Sequence, residues 1–215
     1  MNLSKLQLER LLKIGSCFII SLATVILYHS SLDNPIAFDS DNVLSLKISG
    51  KYFKSLFFLE QRWVNHLSFS LINQSTIDSL YFQRLFNTVL HLFNSILIMY
   101  LLNTLSQTHL FKDKTISKNQ TLALASLAGL LFAVHSVSVY GIAYLIQRSI
   151  ALSTMFAILS FIFYIKSLNQ KTTLYLILSI LAYFFSLHSK EHSVMLPLFL
   201  MAYTYIFYGI NLDNL

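Results

Sequence analysis

Six stretches of this sequence carry no charged residue, and each is at least 17 residues long. They cover residues 14–32, 85–111, 119–147, 149–165, 172–189 and 192–212. A helix needs about 17–25 mostly apolar residues to cross the hydrocarbon core of a bilayer, so every stretch is long enough for one span. Unpaired backbone groups are costly in lipid, which makes helices the expected spanning structure. The charge-free stretches therefore predict an all-α polytopic membrane protein.

The predicted organisation is a single membrane domain, 1–215, with about six transmembrane helices. The spans are placed at about 12–30, 84–106, 119–135, 149–166, 172–188 and 193–210. A large first loop, at about 31–79, is predicted to be extracytoplasmic. Apolar residues recur in it at three- and four-residue spacings over 43–58 and 63–72, which predicts amphipathic helices lying in the membrane interface.

The overall composition excludes several other classes of protein. Only 11% of the residues are charged, whereas soluble domains average about 25%. A single cysteine, Cys17, excludes a disulfide framework and a cysteine-based metal cluster. The net charge is +6, but the basic residues are scattered and form no run that follows a phosphate backbone, so no nucleic-acid partner is expected.

The positions of the lysines predict the orientation of the chain. Lys112, Lys114 and Lys118 fall in one predicted short loop, and Lys166 and Lys171 fall in the next loop on the same side. Basic residues in short loops favour the cytoplasmic side of a membrane. The sequence therefore predicts a multi-pass protein of the inner (plasma) membrane with a cytoplasmic N-terminus.

Polar residues recur at helical spacing within the second predicted span. Arg84, Asn87, His91 and Asn94 are separated by three, four and three residues, so they share one helical face. Lipid penalises such a face, which is therefore expected to point into the protein or a water-filled cavity. For Asn87 and Asn94, simple hydrogen bonding between helices is an equally weighted alternative.

The predicted topology brings isolated charges to the extracytoplasmic side. These are the cations Arg62, Arg84, Arg148 and Lys190 and the acids Asp39 and Asp41. Arginine and lysine suit the phosphate of a lipid-linked sugar, and a carboxylate suits a general base acting on an incoming hydroxyl or amine. The paired carboxylates suit a divalent cation, Mg²⁺ or Mn²⁺, as an alternative.

Four segments, in order, resemble motifs of the C-type (GT-C) membrane glycosyltransferase superfamily, in particular bacterial relatives of the transmembrane and tetratricopeptide-repeat O-mannosyltransferases. They are FDSDN at 38–42; RWVNHLSF at 62–69 followed by NTVLHLFN at 87–94; FAVH at 132–135 with YLIQR at 144–148; and SKEHSVMLPL at 189–198. The chain departs from the family pattern at three places. Ser40 splits the paired acids, and Trp63 and Ser136 replace prolines. Family members usually have more spans, so the resemblance covers an N-terminal membrane portion.

The resemblance implies transfer of a sugar from a polyprenyl-phosphate donor to a protein or glycan acceptor on the non-cytoplasmic face. Asp39 is expected to be the general base, with Asp41 as the second candidate or a metal ligand. The donor phosphate is expected to be bound by Arg148 and Lys190, with Arg62 and Arg84. The cavity is expected to be lined by His91, His135, Gln147 and Glu191, with Glu191 orienting Lys190.

Two alternatives remain at this point. The first is a non-catalytic transporter of lipid-linked glycans, or a membrane assembly subunit, that uses the same cavity for binding alone. The second is a scaffold whose polar residues only pack helices together.

Overall fold

A computed structural model describes residues 5–35, 61–75, 79–107 and 117–209 of the chain. All regular structure in these ranges is helical, so the predicted all-α class is confirmed for them. The α-helices are α1 (Lys5–Tyr28), α2 (Trp63–Ser75), α3 (Ser79–Leu105), α4 (Lys118–Val134), α5 (Ser138–Ala143), α6 (Arg148–Gln170), α7 (Thr173–Ser189) and α8 (Leu196–Tyr208). Short 3₁₀ turns at His29–Ser31, Leu145–Gln147 and Glu191–Met195 follow α1, α5 and α7.

Three helical segments are long and apolar enough to cross a membrane, namely Gln7–Ser31, Leu80–Leu105 and Leu145–Gln170. The two longest have 26 residues each, which at 1.5 Å per residue gives about 39 Å. Lys118–Val134 and Thr173–Ser189 are shorter apolar helices. The described part of the chain therefore has the character of a membrane protein, and the full number of six spans stays a prediction.

Helix α3 lies at the centre of the bundle and packs against α1, α2, α4 and α6. It approaches α4 closely, because a Cβ at Gly129 would lie only 2.8 Å from the backbone oxygen of Ser95. Small residues at such positions let two helices pack with their backbones close together. Helices α6 and α7 pair along a row of small polar contacts, in which Ser179 Oγ donates to the Ser160 carbonyl at 2.8 Å.

Helix α2 covers the second segment that was predicted to be an interfacial helix. It packs on α3, α6 and α7, with Trp63 and Leu67 in the core cluster that contains Leu90 and Leu152. Leu71, on the same predicted apolar face, remains exposed. The segment 43–58, the other predicted interfacial helix, lies outside the described residues.

The charged side chains of the described residues fall into two groups at opposite ends of the bundle. At one end, Glu9 pairs with Lys13 at 2.7 Å, and the ammonium of Lys166 lies 5.2 Å from the ring centre of Tyr100. The other end, here called the Lys190 end, combines the start of α2, α3 and α6 with the end of α4 and α7. The motif segments that lie within the described residues meet at this second end.

Candidate functional site

Arg148, at the start of α6, is the largest fully buried side chain among the described residues, with 0% exposure. Its Nε donates to Asn87 Oδ1 at 2.5 Å and its Nη2 donates to the Gln83 carbonyl at 2.8 Å. Nη1 makes a longer contact of 3.3 Å with Ser68 Oγ. The guanidinium also lies over the Phe69 ring, with its central carbon 3.7 Å from the ring centre. Protein groups therefore surround this cation completely.

The polar face of α3 points into the bundle, as predicted from its spacing. Asn87, His91 and Asn94 are all buried. Each donates to a backbone carbonyl of a neighbouring element: Asn87 Nδ2 to Ile142 at 3.1 Å, His91 Nε2 to Ala133 at 3.0 Å and Asn94 Nδ2 to Ala151 at 2.9 Å. These bonds tie α3 to α4, α5 and α6. The predicted inward orientation of the stripe is confirmed.

Arg84 begins the same stripe and is also buried. Its Nη1 donates to the Ala143 carbonyl at 3.0 Å, and its Nη2 donates to the Pro35 carbonyl at 2.8 Å. Carbonyls that terminate helical segments carry partial negative charge, which stabilises a nearby cation. Arg84 therefore joins the end of α5 to the chain segment that follows α1.

A polar surface at the Lys190 end consists of Gln61, Arg62, Gln147, Lys190 and Glu191. Arg62 donates to Glu191 through Nε and Nη2, both at 3.1 Å, in the bidentate geometry of an arginine–carboxylate pair. Gln61 Nε2 donates to the same carboxylate at 2.6 Å, and Lys190 Nζ donates to Gln147 Oε1 at 2.9 Å. The surface is thus formed by three segments that are distant in sequence.

The polar surface has a distinct electrostatic character. Partial burial and the positive charge of Arg62 lower the pKa of the Lys190 ammonium from its ordinary value, and the charge of Glu191 offsets part of this effect. The hydrogen bond from Arg62 lowers the pKa of the Glu191 carboxyl. Glu191 therefore keeps its charge to a lower pH than a free glutamate. The two cations lie close enough to repel one another, a condition that an added anion relieves.

A cavity lies between α3, α4, α5 and α6 and is here called the α3–α6 cavity. Its volume is about 520 Å³, within the range of small-molecule pockets. Its walls are formed by His91, Asn94, Leu131, Phe132, His135, Val137, Ser138, Tyr140, Gly141, Ile142, Ile150, Ala151 and Thr154. Both predicted cavity histidines therefore line this cavity. Gln147 and Glu191 are not among these described lining residues, but Gln147 Nε2 donates to the Tyr140 hydroxyl at 2.9 Å.

The structure brings together some of the predicted site residues and separates others. Arg62, Gln147, Lys190 and Glu191 form the polar surface, whereas the guanidinium groups of Arg84 and Arg148 are directed at protein carbonyls and the Asn87 amide oxygen. The expected common cavity for Arg148 and Lys190 does not appear among the described residues. The expected orientation of Lys190 by Glu191 differs as well, because Gln147 is its hydrogen-bond partner.

Asp39 and Asp41, the predicted catalytic carboxylates, lie outside the described residues. Within the described ranges, no group of three or more His, Cys, Asp or Glu side chains is arranged to hold a metal ion. Asp39 and Asp41 remain the predicted oxygen ligands for Mg²⁺ or Mn²⁺.

Sequence reasoning missed several groups that shape this end of the bundle. Phe69 and the Gln83 carbonyl enclose the Arg148 guanidinium, and the Tyr140 hydroxyl connects Gln147 to the α3–α6 cavity. Phe69 belongs to the motif segment 62–69, so the sequence indicated this region as part of the site but not the contact of Phe69 with Arg148. No sequence pattern marks a backbone carbonyl as the partner of a distant arginine.

Comparison with known proteins identifies no relative: no family model matches the chain, and neither the curated proteins nor the solved structures include a match to it.

Proposed function

We propose that this chain is a membrane glycosyltransferase. It transfers a sugar from a polyprenyl-phosphate donor to a protein or glycan acceptor on the non-cytoplasmic face. In this proposal the chain crosses the plasma membrane six times, its N-terminus is cytoplasmic, and the Lys190 end of the bundle is extracytoplasmic. The region 31–79 contributes the catalytic carboxylate at that end.

One observation carries the proposal: the motif segments within the described residues contact one another directly, although they are distant in sequence. Arg62 of segment 62–69 pairs with Glu191 of segment 189–198, and Lys190 of that same segment bonds Gln147 of segment 144–148. Arg148 then bonds Asn87 of segment 87–94. Joined polar contacts among these segments are typical of a site that holds several groups in a fixed geometry.

Lys190 and Arg62 are the donor-phosphate ligands in this proposal, since they are the cations of the polar surface. Glu191 neutralises Arg62 in the free protein, and an arriving phosphate offers Arg62 the same bidentate acceptor geometry. Arg148 has its donors directed to protein groups, so it acts as a positioning residue. It fixes the start of α6 against α3 and thereby places the adjacent Gln147.

The reaction is a substitution at the anomeric carbon of the donor sugar. Asp39 accepts the proton of the acceptor hydroxyl or amine, and the acceptor atom forms a bond to the anomeric carbon. The bond between that carbon and the phosphate oxygen breaks, and the polyprenyl phosphate leaves with the electron pair. Lys190 and Arg62 stabilise the charge that develops on the leaving oxygen. Asp41 is the second candidate base, or a ligand if Mg²⁺ or Mn²⁺ is required.

The test is transfer by the purified protein in proteoliposomes that contain radiolabelled polyprenyl-phosphate hexoses, with membrane extract as the source of acceptor. We expect label to leave the lipid fraction with wild-type protein. Asp39→Asn should abolish transfer while leaving donor binding intact, and Lys190→Gln should weaken binding. Lys118→Gln removes a lysine from the predicted cytoplasmic side and is the matched control. If wild-type protein moves the labelled lipid across the bilayer without transfer, the transporter alternative replaces the enzyme.

If neither Asp39→Asn nor Asp41→Asn reduces transfer, the assignment of the general base is wrong. If Lys190→Gln and Lys118→Gln bind the donor equally well, the polar surface is not the phosphate site.

A further inference from the structure

Asn94 and His91 are buried polar residues that line the α3–α6 cavity. Asn94 is 2% exposed, and its amide nitrogen is committed to the Ala151 carbonyl. Its Oδ1 is buried and has no hydrogen-bond partner among the described residues. The orientation of this amide is fixed, because a carbonyl can only accept a hydrogen bond. Oδ1 is therefore an acceptor in need of a donor.

His91 supplies a second acceptor in the same wall. Its Nε2 lies 3.0 Å from the Ala133 carbonyl, so Nε2 carries the proton in the neutral ring and Nδ1 carries a lone pair. Asn94 follows His91 by three residues on α3, which puts both side chains on one face of the helix. The ring of His91 also packs against Phe132, with ring centres 5.3 Å apart. An apolar wall therefore adjoins both acceptors.

The lack of charged residues among the described lining residues and the apolar entrance of the cavity both limit the kind of ligand that it can bind. No Asp, Glu, Lys or Arg occurs among the described residues that line it, so a charged group would be left unpaired. Leu131, Val137 and Tyr140 line the cavity and are also largely exposed on the outside of the bundle. In the predicted topology Leu131 lies within the span 119–135, so its outer surface faces lipid, and Val137 and Tyr140 follow it at the membrane interface. A ligand from the bilayer thus has an apolar entrance and two hydrogen-bond acceptors beyond it.

We propose that the α3–α6 cavity binds a neutral lipid that carries a hydroxyl group. The hydroxyl donates to Asn94 Oδ1 or to His91 Nδ1, and the hydrocarbon lies against Phe132, Ile142 and Ile150. The hydrogen-bond donor is what distinguishes this ligand from an ordinary acyl chain, which leaves the Asn94 acceptor unsatisfied. The site does not depend on the proposed sugar transfer, because it uses none of the residues of the polar surface.

The experiment is photolabelling of the full chain in proteoliposomes with a photoactivatable long-chain primary alcohol. The methyl ether of the same probe is the control ligand, since it keeps the chain and the oxygen but has no hydrogen to donate. Loss of one neutral hydrogen bond corresponds to about a fivefold change in affinity. We therefore expect the alcohol to label the wall of the cavity about fivefold more strongly than the ether, in competition with unlabelled alcohol.

Two variants separate this site from general hydrocarbon binding. Leu131→Trp fills the entrance and should suppress labelling by the alcohol. Leu124→Trp changes the same type of residue seven positions earlier on α4, with 59% exposure against 56% for Leu131, and should have no effect. Asn94→Leu should remove the preference for the alcohol over the ether. Asn94 also bonds the Ala151 carbonyl, so the labelling of Asn94→Leu is interpreted only if its gel-filtration profile is unchanged. If that profile changes, the comparison of Leu131→Trp with Leu124→Trp tests the proposal.

Three results would overturn the proposal. Equal labelling by the alcohol and the ether would show that the hydroxyl is not recognised. Stronger competition by polyprenyl phosphate than by the alcohol would show that the cavity holds the hydrocarbon tail of an anionic lipid. Labelling that survives Leu131→Trp would place the bound probe elsewhere on the surface of the bundle.

Discussion

The contact between Asn87 and Arg148 should be one of the largest single contributions to the stability of this bundle. Asn87 accepts from Arg148 Nε at 2.5 Å and donates to the Ile142 carbonyl at 3.1 Å. The substitution Asn87→Leu keeps the approximate size of the side chain and removes both functions. It leaves a fully buried guanidinium without one of its acceptors and the Ile142 carbonyl without this donor.

The magnitude follows from these two losses. A hydrogen bond to a charged group contributes about 1.5–3 kcal/mol, and an unsatisfied buried neutral group costs about 1–3 kcal/mol. Since the Gln83 carbonyl and the Phe69 ring still stabilise Arg148, the loss is partial. We expect Asn87→Leu to reduce the free energy of unfolding by about 3–5 kcal/mol.

The assay is a double-mutant cycle with Arg148→Met, which removes the cation, followed by unfolding in mixed detergent micelles. With methionine at position 148 no charge needs the amide oxygen, so Asn87→Leu should cost about 1.5–3 kcal/mol less there than in the wild type. Asn103→Leu is the control, because Asn103 is also buried on α3 but lies near the opposite end of the helix. A coupling energy near zero, or equal effects of Asn87→Leu and Asn103→Leu, would refute the reasoning.

Two further predictions concern helix packing and pH. Gly129→Ala should lower the melting temperature, because the new Cβ would lie 2.8 Å from the Ser95 oxygen. Gly141→Ala is the control and should leave the melting temperature unchanged, because its Cβ would have nothing within 4 Å. Equal melting temperatures of the two variants would contradict the close packing of α3 and α4. The Arg62–Glu191 pair should stabilise the fold above the unfolded pKa of Glu191, near 4.5, and lose this effect as the pH falls through the lowered folded value. Because the pair is exposed, the effect should be under about 1 kcal/mol, and Glu191→Gln should remove it from the pH profile of unfolding.

The positions of the long apolar helices can be predicted from the spacing of the charged residues. A charged side chain in the hydrocarbon region is expensive, so the intervals between charges mark the segments that can be buried in lipid. A helix occupies most of each predicted span, for example α4 at Lys118–Val134 against the predicted 119–135. The short helix α5 was not predicted. Its six residues lie inside one long charge-free stretch, where neither charge nor periodicity marks a boundary.

The candidate site was predictable only in part. The inward direction of Asn87, His91 and Asn94 follows from helical geometry and the cost of polar groups in lipid, so the sequence was sufficient for it. The direction of the Arg148 side chain could not be predicted from the sequence. Its partners include the Gln83 carbonyl, and whether that carbonyl is within reach depends on how α3 and α6 pack. A sequence shows that a cation is present, but only the tertiary structure shows which acceptors lie within hydrogen-bond distance of it.

The burial of Arg148 has a consequence for its neighbour in the chain. A cation with 0% exposure is held in place by every acceptor around it, since moving it would expose an unpaired charge to an apolar interior. Gln147 precedes it directly at the end of a 3₁₀ turn, so its position is fixed with that of Arg148. Gln147 in turn accepts from Lys190 and donates to Tyr140. We therefore expect Arg148 to position Gln147 and, through the Gln147–Lys190 hydrogen bond, the Lys190 ammonium.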